Sequence, residues 1–126
     1  MFVRQDISLA QQIVQSNHAT FEVARRLPQP QDLDVTPSCI VIGVPDKQAL
    51  FRVIEKLRVN GIAHELFYEP DFDMGLSAVA TVPLEQAQRR VLSNYRLWRE
   101  PDAPTQANSA VPTQAYSAST GIGATQ

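Results

Sequence analysis

The sequence has one cysteine, Cys39, among its 126 residues, and it has no excess of positive charge. A single cysteine excludes an internal disulfide and a zinc site built from cysteine pairs. The net charge of -2, from 11 Lys and Arg against 13 Asp and Glu, excludes a protein that wraps nucleic acid with a uniformly basic surface. The longest apolar run covers residues 39–44, whereas a membrane span needs roughly 20 residues. We therefore expect no membrane contact.

Glycine is also scarce, with five residues and no glycine-rich phosphate loop, so we expect no nucleotide or other cofactor. Asp71 and Asp73 come shortly before Gly75, as in a loop that binds a hard cation. That kind of loop needs a glutamate where this sequence has Val82, and we interpret the segment as a solvated turn without a metal. No secretory or transit signal is visible at the N-terminus, so the cytoplasm is the expected location.

Composition divides the chain into a folded domain over residues 1–100 and a tail over residues 101–126. The domain carries all 11 cationic side chains and 12 of the 13 acidic ones, whereas the tail carries only Asp102. The tail offers little large apolar surface to offset backbone ordering, which costs about 1–2 kcal/mol per residue. We predict that it is disordered or loosely docked. The domain is large enough for one core and a shallow site.

The hydrophobic pattern of the domain predicts the element order β-α-β-α-β-β-α. Strands that alternate with helices indicate a parallel crossover, and the closely spaced third and fourth strands indicate an antiparallel hairpin. The predicted fold is α/β, with a mixed four-stranded sheet and helices on both faces; a split β-α-β ferredoxin-like sheet is the alternative topology. Strands are expected at residues 2–5, 39–42, 63–68 and 77–82, and helices at residues 8–27, 46–60 and from residue 83 onward.

The first helix and the second strand carry predictions about buried side chains. Ser8 begins the helix as its capping residue, with Gln11 as the reciprocal partner. The second strand is nearly all apolar, as in a central strand buried on both faces, so Cys39 is predicted to be inert core. The helix stripe predicted to face the core consists of Ala10, Ile13, Val14, Phe21 and Ala24, with Asn17 on the same stripe.

The later elements show clearer signals. The second helix has the strongest amphipathic pattern in the chain, and Asn60-Gly61 predicts its end. Pro83 fits the first position of the last helix. We expect residues 95–98, which include Trp98, to pack back onto the core.

His18 is the first candidate for chemistry. A histidine beside Gln15 and Asn17 on a helix is suited to act as a catalytic base. The alternative is a structural histidine bonded to a backbone carbonyl. The chain has no recognisable nucleophile motif, so a catalytic triad is not supported.

Arginines form the second group of candidates. Arg25 and Arg26 end the first helix, and Arg89, Arg90, Arg96 and Arg99 are predicted to lie on the last one. Arginine forks suit phosphate, which makes this cluster, and Arg25, Arg26, Arg89 and Arg90 in particular, a candidate for binding nucleic acid. The alternative is that they stabilise helix C-termini as ordinary partners of the helix dipole.

Several segments together resemble the type 2 peptidyl-tRNA hydrolase family, and more closely its short bacterial or phage-like relatives. Residues 3–7 (VRQDI) resemble the opening strand of that family, and residues 15–19 (QSNHA) resemble its Gln-x-x-His-Ala. The apolar strand before Val44, the helix after Asp46 and residues 77–83 (SAVATVP) continue the match over about residues 1–100. The resemblance implies a mixed four-stranded sheet, hydrolysis of the ester between a peptide and tRNA, and tRNA as the partner.

The chain departs from the family at two places. The family has a lysine-rich turn before the first helix, including a lysine considered catalytic. Residues 8–12 (SLAQQ) contain no lysine, and the only lysines are Lys47 and Lys56. The family's Asp-x-Gly-Arg-Thr loop before the last strand is replaced by residues 69–75 (EPDFDMG), in which Asp71 is the candidate for the acidic role.

The sequence therefore predicts two alternative functions. In the first, the protein hydrolyses peptidyl- or aminoacyl-tRNA esters, with Asp6, His18 and Asp71 orienting water and the arginines binding phosphates. In the second, the fold has lost catalysis and binds RNA or protein. A third alternative is a small interaction protein that uses its tail as a tether. The edge strands of an open sheet also suggest pairing into a homodimer.

Overall fold

The structure, a computed structural model, describes residues 1–30 and 36–102. The predicted element order β-α-β-α-β-β-α is confirmed, with one short 3-10 turn added. The prediction of a disordered tail lies outside the described residues, apart from residues 101 and 102. The elements are β1 (Phe2–Arg4), α1 (Leu9–Arg26), β2 (Ile42–Val44), α2 (Lys47–Val59), β3 (His64–Glu69), the 3-10 turn (Asp71–Asp73), β4 (Gly75–Thr81) and α3 (Gln86–Val91).

The four strands form one mixed sheet in the order β2-β1-β4-β3. Strands β1 and β2 pair in parallel, and β4 is antiparallel to both β1 and β3. This arrangement confirms the predicted crossover and hairpin. It is not the ferredoxin-like alternative, because β1 and β2 are direct neighbours and no strand separates them.

Helices α1 and α2 cover opposite faces of the sheet. Adjacent residues of a strand point to opposite faces, and Phe2 packs with the core under α2 while Val3 packs with the core under α1. The amphipathic pattern predicted for α2 is confirmed, since Leu50, Val53 and Leu57 are fully buried. The predicted return of the chain is confirmed as well, because Tyr95 and Trp98 pack against these two cores.

Three strands have their C-terminal ends at the same end of the sheet. We name this end the carboxyl edge, and the name does not refer to an outer strand. Strands β1, β2 and β3 run in the same direction and end there, and β4 begins there. Helices α1 and α2 also begin there, with Ser8 accepting from the backbone N–H of Gln11 and Asp46 from that of Ala49. The chain leaves β1 toward one face and β2 toward the other. Such a divergence is where open α/β sheets bind ligands.

The predicted inner stripe of α1 is wrong. Ile13 and Phe21 are 57% and 65% exposed, and Val14 is 44% exposed. The side chains that face the sheet are Gln12, Gln15, Ser16, Ala19 and Val23. The polar members of this face are buried because hydrogen-bond partners lie opposite them: Gln12 donates to the Ile7 carbonyl and accepts from the Trp98 indole. Apolar periodicity did not reveal the inner face, because it contains no information about those partners.

The prediction that Cys39 is inert core is also wrong, because Cys39 is exposed. The strand begins only at Ile42, and it lies at the edge of the sheet rather than at its centre. Ile40 is accordingly 49% exposed. The last helix differs in its start: it begins at Gln86 rather than at Pro83, because Glu85 forms a capping box with Gln88.

We expect Trp98→Phe to lower the free energy of unfolding by about 1–2 kcal/mol, because the change leaves the buried Gln12 carbonyl oxygen without its 2.7 Å donor. Urea unfolding of the full chain measures this. Leu97→Ala is the control, because Leu97 is 63% exposed and surface changes cost less than about 0.5 kcal/mol. Equal stability of the two variants would contradict the prediction.

Candidate functional site

Asp6 is held at the carboxyl edge by a buried arginine. Arg4 Nε and Nη2 donate to the two Asp6 carboxylate oxygens at 2.8 and 2.9 Å, and Nη1 donates to the carbonyls of Met74 and Leu76 at 2.7 and 2.9 Å. The Arg4 side chain is 10% exposed and that of Asp6 is 38% exposed. The pKa of Asp6 lies below its ordinary value, chiefly because Arg4 donates to it. Asp6 is therefore an oriented, ionised carboxylate that solvent can reach.

Lys47 adds a positive charge at the carboxyl edge. A Cβ added to Gly75 would lie 3.2 Å from Lys47 Nζ, so the ammonium group lies against the bare backbone of Gly75. The charge of Lys47 also helps to lower the pKa of Asp6. None of the ion pairs found in residues 1–30 and 36–102 includes Lys47. The resemblance located the missing lysine before α1, whereas this lysine is the first residue of α2.

Gln15 is at the centre of a buried polar network between α1 and the β3-β4 hairpin. Its amide donates to Gln11 Oε1 and Glu69 Oε2 at 3.1 Å each, and its carbonyl oxygen accepts from Ser77 Oγ at 3.0 Å. Glu69 Oε1 accepts from the backbone N–H of Asp71 at 3.1 Å. The pKa of Glu69 is lowered, first by Gln15 and then by Asp71. Glu69 thus connects two predicted site residues, and the sequence marked it only as part of the replaced loop.

His18 does not join Asp6. Its ring is exposed and stacks on Phe67, with centroids 4.4 Å apart and planes 8° from parallel. An α-helix rises 1.5 Å per residue, so His18 lies about 14 Å along α1 from the carboxyl edge. Its nearest link to the site is electrostatic, because its charge contributes to the lowered pKa of Glu69. Asn17 is exposed on the outer side of α1.

Arg25, Arg26, Arg89 and Arg90, the four arginines predicted to bind nucleic acid, lie at the other end of the sheet, where β1, β2 and β3 begin. Arg25 and Arg26 both pair with Glu22 near the end of α1, about 24 Å along the helix from the carboxyl edge. Arg89 and Arg90 lie on α3, which follows the far end of β4. Within one copy of the chain, these cations and Asp6 are therefore separated.

Two other arginines lie beside the carboxyl edge. A groove of about 410 Å³ is lined by Gln5, Gly43, Arg96, Leu97 and Arg99. Gln5 forms its floor, because its amide donates to the Arg99 carbonyl at 2.9 Å and its side chain fills the space where Gly43 lacks a Cβ. Sequence reasoning predicted that residues 95–98 return to the core but missed this groove, since no local pattern indicates which strands the segment after α3 reaches.

The loop between β3 and β4 makes the edge acidic. Asp71 and Asp73 are exposed, and Phe72 at the tip is 84% exposed with φ of 58°. With Asp6, Asp46 and Glu69 there are five carboxylates near this edge, against the cations Arg4 and Lys47. Within the described ranges, no group of three or more ligand side chains is arranged to hold a metal ion.

Comparison of the chain with protein-family models gave no match, and neither did a search of the curated proteins. None of the helices in the described part of the chain is long and apolar enough to cross a membrane.

We expect Asp6→Asn to lower the free energy of unfolding by roughly 1–2 kcal/mol at neutral pH, because Arg4 loses a charged partner that is partly exposed. The pKa of Asp6 is lowered by folding, so its contribution is complete above the ordinary value of 3.8 and is lost as the pH falls through the native value. Urea unfolding between neutral pH and about pH 2 measures this. If the free energy of unfolding of Asp6→Asn stayed below that of the wild type by the same amount at acid pH, the result would contradict the ion pair.

We expect Gln15→Leu to lower the free energy of unfolding by about 1–3 kcal/mol, because Glu69 and Ser77 each lose a buried partner. The same change should raise the pKa of Glu69, since the donor that lowers it most is gone. Urea unfolding and an NMR titration of the Glu69 carboxyl carbon are the measurements. Gln48→Leu, at an exposed position of α2, is the control and should change neither quantity.

Proposed function

We propose that this protein hydrolyses the ester between an amino acid or peptide and tRNA, as a divergent relative of the type 2 peptidyl-tRNA hydrolases. The observation that carries the proposal is the placement of Asp6 and Lys47 at the same carboxyl edge. Asp6 follows β1, Lys47 begins α2 with its ammonium group against Gly75, and the charge of Lys47 helps to lower the pKa of Asp6. The sequence segments that resemble the family supply the substrate class.

Such a site has two tasks, because the ester is already labile: it must orient a water molecule and stabilise the oxyanion that forms. Asp6 suits the first task. Arg4 fixes its carboxylate through two hydrogen bonds, and the remaining lone pairs face solvent for a water molecule. A carboxylate with a lowered pKa is a weak proton acceptor, so Asp6 orients the water more than it deprotonates it.

Lys47 suits the second task. Its ammonium group lies at the open edge against Gly75, and a fixed positive charge stabilises an oxyanion as it develops. Asp71 completes the site from the other side, because Glu69 holds the start of its loop through the Asp71 backbone N–H. Gln15 and His18 act at a distance in this proposal, by holding Glu69 and by packing on Phe67.

The five carboxylates near the edge repel phosphates, so the tRNA must be bound by the cations around them. Arg96 and Arg99 line the neighbouring groove, and in this proposal they bind the single-stranded end that carries the ester. With few phosphate contacts, the affinity should fall with salt less steeply than for a protein that binds a duplex along its whole length.

The test is the release of an N-blocked amino acid from tRNA by the full chain. We expect Lys47→Met to slow the release about 100-fold or more, as loss of an oxyanion donor does. Lys56→Met is the matched control, because Lys56 lies on the same helix over the ring of Tyr95, away from the site. We expect His18→Ala to slow the release less than about tenfold. Asp71→Ala should slow the release by more than that. Release by the wild-type chain no faster than the spontaneous rate would refute the proposal.

A second candidate is a binding module without catalysis. It is favoured by the commitment of both Asp6 oxygens to Arg4, because each oxygen then has one lone pair fewer for a water molecule. This candidate predicts that tRNA is bound, with a salt-dependent affinity, and that its ester is protected rather than cleaved.

A further inference from the structure

Helix α1 presents a row of small and apolar side chains to solvent, directly opposite its buried face. The row, here named the outer seam, consists of Ala10, Val14, Asn17, Phe21 and Ala24, which are all exposed. Phe21 is 65% exposed, and the flanking Ile13 is 57% exposed. No element within residues 1–30 and 36–102 covers the outer seam.

The spacing of the outer seam identifies the kind of partner that fits it. Its members follow one another at intervals of four, three, four and three residues, which is the repeat of side chains that pack one helix along another. The large side chains expose an area on the order of 300 Å², a patch size that is often functional on a monomer. Helix α1 has 18 residues, and the seam from Ala10 to Ala24 extends over about 21 Å of it. The expected partner is another helix.

The charges at the two ends of α1 favour a second copy of this helix in antiparallel orientation. At the carboxyl edge Asp6 is paired with Arg4, and Asp71 and Asp73 outnumber Lys47, whereas the other end has Arg25 and Arg26 with Glu22 as their shared acid. A parallel pair would bring like charges together at both ends. An antiparallel pair brings opposite charges together twice.

The sizes of the side chains fit the same orientation. When Phe21 lies against Ala10 of the second copy, Val14 lies against Asn17 of the second copy, and the two-fold axis repeats both contacts. The large Phe21 then meets the small Ala10 in both outer layers, and the medium-sized Val14 and Asn17 meet in the layers between them, which lets the two helices approach closely. We propose that the outer seam binds the outer seam of a second copy of this chain, antiparallel, to form a homodimer.

The dimer has a consequence for the candidate site. It brings Arg25 and Arg26 of the second copy to the carboxyl edge of the first, where one copy alone has few free cations. Arg25 and Arg26, which lie about 24 Å along α1 from the carboxyl edge within one copy, would then flank the neighbouring site. This consequence rests on the proposed function, whereas the dimer itself does not.

Sedimentation equilibrium of the full chain tests the dimer, with loading concentrations from about 5 to about 200 µM. The interface is small, so we expect a dissociation constant on the order of 10 µM. Phe21→Glu should weaken the dimer at least tenfold, because it buries a charge within the seam against Ala10 of the second copy. Phe51→Glu is the matched control: Phe51 is 55% exposed on α2, and the variant should dimerise like the wild type.

Ala10→Leu tests the proposed packing. It adds apolar surface to the outer seam, so unspecific association would become stronger. In the antiparallel packing the added atoms meet Phe21 of the second copy, and the dimer should become weaker. A wild-type chain that is monomeric over the whole concentration range would overturn the proposal. A Phe21→Glu variant with the same dissociation constant as the wild type, or an Ala10→Leu variant that dimerises more strongly, would also overturn it. Sedimentation does not depend on turnover, so failure of the hydrolase proposal would leave this result unaffected.

Discussion

The guanidinium of Arg4 is the interaction on which the carboxyl edge depends. It is buried at the end of the short strand β1, and it donates to Asp6 on one side and to the carbonyls of Met74 and Leu76 on the other. A buried cation needs partners of this kind, since an unpaired charge in the interior is costly. Arg4 therefore fixes the start of β4, the end of the β3-β4 loop and the Asp6 carboxylate together. Lys47 lies against Gly75, the residue between the two whose carbonyls Arg4 binds.

The second constraint is the polar interior beneath α1. Gln12 and Gln15 face the sheet, and each is satisfied by partners from distant parts of the chain. Such a network holds α1 in one rotation, because any other rotation would leave buried amides unpaired. The apolar residues of the helix are then left outside. The same constraint that orients Glu69 and Asp71 in the candidate site thus creates the outer seam proposed to form the dimer.

Much of the fold could be predicted from the sequence, because the relevant signals are local. The apolar pattern of α2, the cap at Ser8 and the close spacing of β3 and β4 each depend on neighbouring residues. The errors arose where distant residues decide. Cys39 is exposed because β2 is the outer strand of the sheet and begins only at Ile42, and Phe21 is exposed because partners for Gln12 and Gln15 lie elsewhere in the chain. No periodicity within one segment contains that information.

In the candidate site, too, some residues could be recognised from the local sequence and others only from contacts between distant parts of the chain. Asp6 and Gln15 could be singled out from the sequence, since they lie in segments that resemble a known family. Glu69 and Lys47 could not, because their importance comes from contacts across the sheet: Glu69 joins Gln15 to Asp71, and Lys47 meets Gly75. Arg25, Arg26, Arg89 and Arg90 were candidates by residue type, and the sheet places them at the other edge.

The central claim is that Asp6 and Lys47 act together on one ester. A double-mutant cycle on the single-turnover release of a blocked amino acid from tRNA tests it most directly, with Asp6→Asn, Lys47→Met and the double variant. Groups that act as a unit give strongly non-additive effects, so we expect the double variant to be about as slow as the slower single variant. Losses that multiply as for independent groups, or a wild-type rate equal to the spontaneous one, would contradict the account.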